Sequence, residues 1–336
     1  MKVDGIVTGT APDEIGEHAR LLEDLGYDGV LTAEITHDPF LPLAIVAEHT
    51  GRVQLGTSIA VAFARNPMTL ANIGYDLQAF SRGRFRLGLG SQIKPHIEKR
   101  FSMPWSHPAP RMRELILAMR AIWRCWNEHE PLDVRGDFYQ HTLMTPMFDP
   151  GPNPYGEPAV LLAAVGEVMT EVAGEVADGL ILHGFTTERY VREVTLPALE
   201  RGFAKSGRAR ADFEVTGPLF VVTGVTEEEM NQATEAAKQQ IAFYGSTPAY
   251  RPVLDLHGWG DLQDELNRLS KEGEWVEMGE AVDDELLHTF AVVAEPEDVA
   301  ARVKERYAGL VDRILFAAPV RRDPQRWTEA LAQFRA

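Results

Sequence analysis

Short apolar runs bounded by glycine, proline or polar residues recur along the chain, separated by stretches of helical periodicity. That alternation is the pattern of parallel βα units. Strands are expected near residues 2–7, 28–33, 53–60, 84–89, 159–163, 179–183, 214–222 and 312–317, which is the complement of a (β/α)8 TIM barrel. From Pro12 to Leu25, the positions Ile15, Ala19, Leu22 and Leu25 share one helical face, and Gly26 follows as a glycine C-cap. Between Arg111 and Trp126, the positions Leu115, Met119, Ile122, Trp123 and Trp126 repeat at helical spacing. They read as core rather than as a platform on which a cofactor stacks.

Two stretches break the rhythm. Residues 91–157 are far longer than a strand-to-helix link and carry the tract Pro146-Met147-Phe148-Asp149-Pro150-Gly151-Pro152-Asn153-Pro154, which predicts an excursion over the barrel mouth. Residues 245–290, with Tyr250, His257, Trp259 and Trp275, form the second. Long loops at a barrel's carboxyl face shape substrate access, and a dimer contact or packing flap is the alternative for each. Residues 1–336 are thus read as a single barrel domain with two insertions and no internal repeat.

Charge narrows the partners. With 33 basic and 50 acidic residues, the net charge of −17 repels nucleic acid and anionic membranes alike. A lone cysteine, Cys125, excludes an intrachain disulfide framework, suits a reducing cytoplasm, and falls on a helix where packing explains it. The start, Lys2-Val3-Asp4-Gly5-Ile6-Val7, has no secretory-signal pattern. No apolar stretch approaches the ~20 residues of a membrane span. A soluble, cytoplasmic protein is expected.

Candidate chemistry gathers at the strand ends. Glu34 follows Val30-Leu31-Thr32-Ala33 and emerges at the carboxyl rim, with Thr36, His37 and Asp38 close behind. A carboxylate and an imidazole there could hold or relay a proton beside a redox ring. Equally, Asp38 could cap a helix starting at Pro39 while His37 faces solvent. Gly88, Gly90, Ser91 and Gln92 end the fourth strand and could bring donors to the polar edge of a pyrimidine-like ring. They lack the full dinucleotide fingerprint, so a Rossmann nicotinamide site is set aside. His96, Glu98, Lys99 and Arg100 fall on a helix as a solvated polar face.

The segment Ala163-Ala164-Val165-Gly166-Glu167-Val168-Met169-Thr170 joins the fifth strand to a helix whose first amides make a natural phosphate seat. His183 closes the sixth strand at the same rim, and Thr186 and Thr187 could contact a ligand or cap a helix. Arg321 and Arg322 follow the eighth strand, as phosphate contacts or as surface charges. No metal-ligating constellation, nucleophile elbow or Walker loop is present in the sequence.

Three of these segments, Leu55-Gly56-Thr57-Ser58-Ile59, the run from Arg84 to Phe101, and Ala163 to Glu167, resemble the luciferase-like flavin and deazaflavin oxidoreductases. Glu34 to Phe101 resembles the branch that uses coenzyme F420. The resemblance implies a TIM barrel with the deazaflavin lying across its carboxyl mouth and a hydride passing to or from a small organic substrate. It further implies Glu34 and His37 as catalytic groups, Ser58, Ile59, Ser91 and Gln92 around the ring, Ala164, Val165, Gly166 and Glu167 at the phosphate, and His183 beside the coenzyme. The Ser58–Ile59 bond matches a non-proline cis peptide that presses on the central ring. A homodimer is implied too.

Two departures stand out. Members acting on sugar phosphates place histidine directly after the acidic residue, where this chain has Ile35; and Val165-Gly166-Glu167 replaces a Ser-Gly-Pro, so Glu167 must turn outward for a phosphate to bind. The alternative within the fold is an FMN-dependent monooxygenase using reduced flavin and oxygen. A barrel that has lost redox chemistry and serves as a binding protein is the third reading.

Overall fold

The computed structural model describes residues 1–217, 219–317 and 324–335. Eight parallel strands form a closed barrel: β1 (Lys2–Ile6), β2 (Gly29–Thr32), β3 (Gln54–Thr57), β4 (Phe85–Gly90), β5 (Ala159–Ala164), β6 (Gly179–Leu182), β7 (Glu214–Gly217) and β8 (Arg313–Leu315). Lys2 opposite Arg313 joins the first strand to the last, and Leu55 opposite Phe85 joins β3 to β4. Covered on both faces, β2 and β4 are buried at every position, which is why they read as continuous rather than alternating apolar runs. Around them lie α1 (Ile15–Asp24), α2 (Leu41–His49), α3 (Pro67–Phe80), α4 (Pro108–Glu128), α5 (Glu167–Val176) and α6 (Leu196–Ser206). Ile15, Ala19 and Leu22 of α1 face inward and Gly26 leaves the helix at φ +96°. Trp123 and Trp126 of α4 are wholly buried in the main core, and Cys125 packs beside them.

Two expected strands are broken. The third is interrupted after Thr57 by the bulge Ser58–Ile59, whose peptide is cis, and resumes as Ala60–Val61 against Leu89 and Gly90 of β4. The seventh leaves the barrel at Gly217, and Phe220–Val222 pairs instead with Ala291–Val293. That second pair roots a helical cap, which therefore begins at residue 220 rather than at 245. The cap comprises α7 (Glu227–Gly245), the short helix Arg251–Asp255, α8 (Gly260–Glu272) and the helices Trp275–Glu280 and Asp284–Phe290. Its own apolar cluster, including Ile241, Val253, Leu266, Met278 and Phe290, closes over Phe185 and Tyr190 beyond β6. No helix among the described residues is long and apolar enough to cross a membrane.

Charge sits inside the barrel. Arg313 and Asp4 are fully buried and bonded at 2.5 Å, with Arg86 3.8 Å from the same carboxylate and also paired with Glu214. Gly29, opposite Asp4, leaves room for that carboxylate, since a Cβ there would lie 2.2 Å from its Oδ1. Burial and the neighbouring Arg313 push the Arg86 guanidinium down to about 10, against the pull of Asp4. Removing one partner of such a pair strands a buried charge. Arg313→Met is therefore expected to cost about 3–5 kcal/mol of stability in urea unfolding, while Asp4→Leu combined with Arg313→Met costs less than the single change.

Candidate functional site

The carboxyl rim is organised around the bulge. Ser58 donates its N–H to Thr32 O at 2.6 Å, and the N–H of Glu34 donates to Ile59 O at 3.1 Å. The Glu34 carboxylate completes the clamp, because its Oε2 accepts from the Val61 N–H at 2.7 Å and from Arg65 Nη1 at 2.6 Å. Arg65 also reaches Asp38 at 3.3 Å and lies over the Phe40 ring. Only 6 % of the Glu34 side chain is exposed. Its geometry is thus that of a fastener joining both sides of the bulge to β2, not of a free acid waiting for a proton. Asp38 takes the capping alternative, accepting from the N–H groups of Phe40 and Leu41 at the start of α2. His37 is exposed on the same loop.

The glycines of β4 serve the bulge rather than a ligand. A Cβ on Gly90 would lie 2.8 Å from Ile59 Cδ1, and one on Gly88 would lie 1.9 Å from Thr57 O. Ser91 donates its hydroxyl to Gln92 O, and Gln92, at φ +60°, accepts the Ile93 N–H on its own side chain. Both remain half-buried beside the bulged strand. His96, Glu98, Lys99 and Arg100 are exposed, with Arg100 tied to Ile35 O at 2.6 Å.

Across the mouth, Gly166 is the N-cap of α5 and no side chain caps the helix. Its first-turn amides keep the positive end of the helix available to an anion. Ala164 is buried and Val165 half-buried, while Glu167 is exposed and paired with Arg201 at 2.7 Å. Glu167 thereby meets the condition that its sequence position set. The open space beside Gly166, where a Cβ would touch nothing within 4 Å, leaves room for a phosphate.

His183 lies two residues beyond Ile181, whose side chain lines the barrel interior with Leu31, Leu161 and Ser58 around a cavity of about 10 Å³. His183 itself lies one residue past the end of β6, against the cap. Its Nδ1 accepts the Phe185 N–H at 3.0 Å, and the rings of Tyr244 and Tyr250 stand 4.6 and 4.5 Å away. Burial pushes the His183 imidazole down to about 4 and the Tyr250 phenol up to about 12. Thr187 caps the following turn and meets His257 at 2.8 Å. A separate cavity of about 260 Å³, lined by Thr8, Thr10, His18 and Tyr27, touches none of these residues. Arg321 and Arg322 lie outside the described residues.

The sequence reading missed Arg65, Tyr244 and the Asp4–Arg86–Glu214–Arg313 group, in which Asp4, Arg86 and Arg313 are buried. Each had a signal only in hindsight of the fold: an arginine just after a strand end, a tyrosine on a helix assigned to no site, and charges inside strands otherwise apolar.

The pattern of the luciferase-like monooxygenase family matches residues 2–313, and the chain belongs to that family. An uncharacterized protein of Mycobacterium tuberculosis is 56 % identical over 318 residues, covering 94 % of this chain and 92 % of the relative. A second protein of that organism, provisionally assigned as a coenzyme F420-dependent oxidoreductase, is 30 % identical over 302 residues, covering 84 % and 85 %. Among solved structures, the coenzyme F420-dependent tetrahydromethanopterin reductase of Methanopyrus kandleri superposes with a TM-score of 0.80 at 19 % identity, covering 99 % of this chain and 97 % of that one. This last likeness shows the fold.

Two outcomes follow from the geometry. Glu34→Ala should destabilise the protein by about 2–3 kcal/mol, having removed charge-assisted bonds to Val61 and Arg65, with Glu34→Gln milder; equal urea midpoints for wild type and both variants would contradict the clamp. His183 should stay neutral until the pH approaches 4, as followed by ¹⁵N-histidine NMR. Its folded value lies below the ordinary one, so its protonation opposes folding, and stability present above about pH 6.5 is lost as pH falls toward 4.

Proposed function

We propose that this luciferase-like barrel is a coenzyme F420-dependent oxidoreductase, transferring a hydride between the deazaflavin and a small organic substrate. The observation that carries the reading is the pairing, at one barrel mouth, of the fastened Ser58–Ile59 bulge with an uncapped helix terminus at Gly166. A rigid, bent strand gives a flat ring something to rest against, and free amides with open space give an anion its seat. The 30 % identical relative favours the deazaflavin over FMN.

When bound, the coenzyme supplies the carbon that gives or takes the hydride. The chain's residues would hold and orient it: Ser58 and Ile59 behind the ring, Ser91 and Gln92 at its polar edge, and the amides from Ala164 to Glu167 at the phosphate. Glu34 acts by keeping the bulge in place. His37 is exposed on the loop beside it, placed to manage the proton that accompanies hydride transfer, and His183 closes β6 at the same rim. The enzyme works in the cytoplasm as a homodimer, and the charge of −17 supports a partner list without nucleic acid or anionic membrane. The family's description favours a second reading, an FMN-dependent monooxygenase consuming reduced flavin and oxygen at the same seat.

Quenching of F420 fluorescence tests both the coenzyme and its position. Saturable binding by the wild type is expected, and Gly166→Asp should weaken it at least about tenfold by setting a carboxylate against the phosphate, with an unchanged circular dichroism spectrum because that position is open. Unchanged affinity in the folded variant would remove the loop from the site, and absence of binding by the wild type would remove F420.

A further inference from the structure

The bulge is also held from the first excursion, through Arg111 near the start of α4, a side chain only 6 % exposed. Its Nη1 donates to Pro104 O at 2.6 Å and its Nε to the Tyr139 hydroxyl at 3.0 Å. The guanidinium lies 4.6 Å from the centre of the Phe63 ring and 5.7 Å from that of Tyr139, and among the described residues no carboxylate pairs with it. Aromatic faces thus stand where a buried cation ordinarily has an acid. A cation near the amino end of a helix also opposes its dipole, so packing alone would favour an apolar residue there. Phe63 is fully buried two residues past Val61, whose N–H donates to Glu34 and whose carbonyl accepts from Arg65 Nη1 at 3.1 Å. It meets Trp105 edge-on at 5.7 Å. Pro104 and Trp105 lie toward the end of the segment that leaves β4 through Ser91 and Gln92. One guanidinium therefore joins the chain that follows the bulge to the segment that follows β4.

We infer that Arg111 is a positioning residue for the coenzyme ring: without touching the ring, it fixes the Ser58–Ile59 bulge relative to the segment that begins at Ser91 and Gln92. A planar guanidinium can lie against Phe63 and at the same time donate, in its own plane, to Pro104 and Tyr139. A lysine ammonium is a point charge and cannot do both. Without that joint the two sides of the bed are free to shift, and the coenzyme must order them as it binds, at a cost in affinity. The inference rests on the proposed function, because the coenzyme is what occupies the bed.

The test titrates the full-length protein with F420 and with its ring fragment, an 8-hydroxy-5-deazaflavin carrying a ribityl chain and no phosphate, and follows amide hydrogen exchange in the ligand-free protein. Arg111→Met is expected to weaken both ligands by the same factor, at least about tenfold, whereas Gly166→Asp weakens F420 and spares the fragment. Arg111→Lys should stay closer to Arg111→Met than to the wild type. Tyr139→Phe, which removes one hydrogen bond and keeps the ring, should weaken both ligands by about threefold, and it carries the same test if Arg111→Met does not fold. In the ligand-free Arg111→Met protein, residues 58–65 should exchange faster than in the wild type while residues 164–170 do not. Wild-type affinity for the fragment in folded Arg111→Met, a loss confined to F420, full recovery by Arg111→Lys, or unaltered exchange over residues 58–65 would overturn the inference. The two readouts separate the failures. Faster exchange in a protein whose wild type takes neither ligand overturns the coenzyme assignment alone, whereas F420 binding that Arg111→Met leaves unchanged overturns the role of Arg111 alone.

Discussion

At Thr57 and Gly88 the backbones of β3 and β4 come so close that a side chain on residue 88 would start 1.9 Å from a carbonyl oxygen. The Thr57 hydroxyl fills the seam from the other side, donating to Gly88 O at 2.6 Å and accepting the Gly88 N–H at 3.0 Å. This contact fixes where the third strand must stop being regular. Directly above it the chain turns through Ser58–Ile59, Ile59 rests on the bare backbone of Gly90, and Glu34 reaches from β2 to hold the far side through Val61. Three adjacent strands are thereby locked at the rim, and the mouth inherits its shape from that lock.

Much of this was legible along the chain, and the reason is burial. A strand covered on both faces writes itself as an unbroken apolar run, which is why β2, β4, β5 and β6 stand where the pattern placed them. The rim residues were legible by position, since a polar residue just after such a run has nowhere to go but the carboxyl face. Their partners were not. Glu34 meets Val61 and Arg65 across 27 and 31 residues, and Asp4 meets Arg313 across 309; periodicity carries no information at those separations. Phe220–Val222 continues the apolar run of β7 in sequence, yet its partner strand lies at Ala291–Val293, so one expected strand became two and the cap began earlier. Gly88 and Gly90 were visible as glycines, but whether they admit a ligand or a neighbouring strand depends on what stands opposite.

The electrostatics divide the molecule along the barrel axis. Asp4, Arg86, Glu214 and Arg313 compensate one another inside the barrel. At the mouth, Arg65 neutralises Glu34, Arg201 draws Glu167 aside, and His183 is neutral among tyrosines. The mouth thus presents the uncapped amino end of α5 and, beneath the cap, a cluster of aromatic rings around His183, within a surface whose net charge is strongly negative.

Calorimetric titration with oxidised F420 and with FMN, in one buffer at one salt concentration, tests the central claim most directly. The account predicts tight, saturable binding of F420 with little affinity for FMN; preference for FMN, or binding of neither, would contradict it.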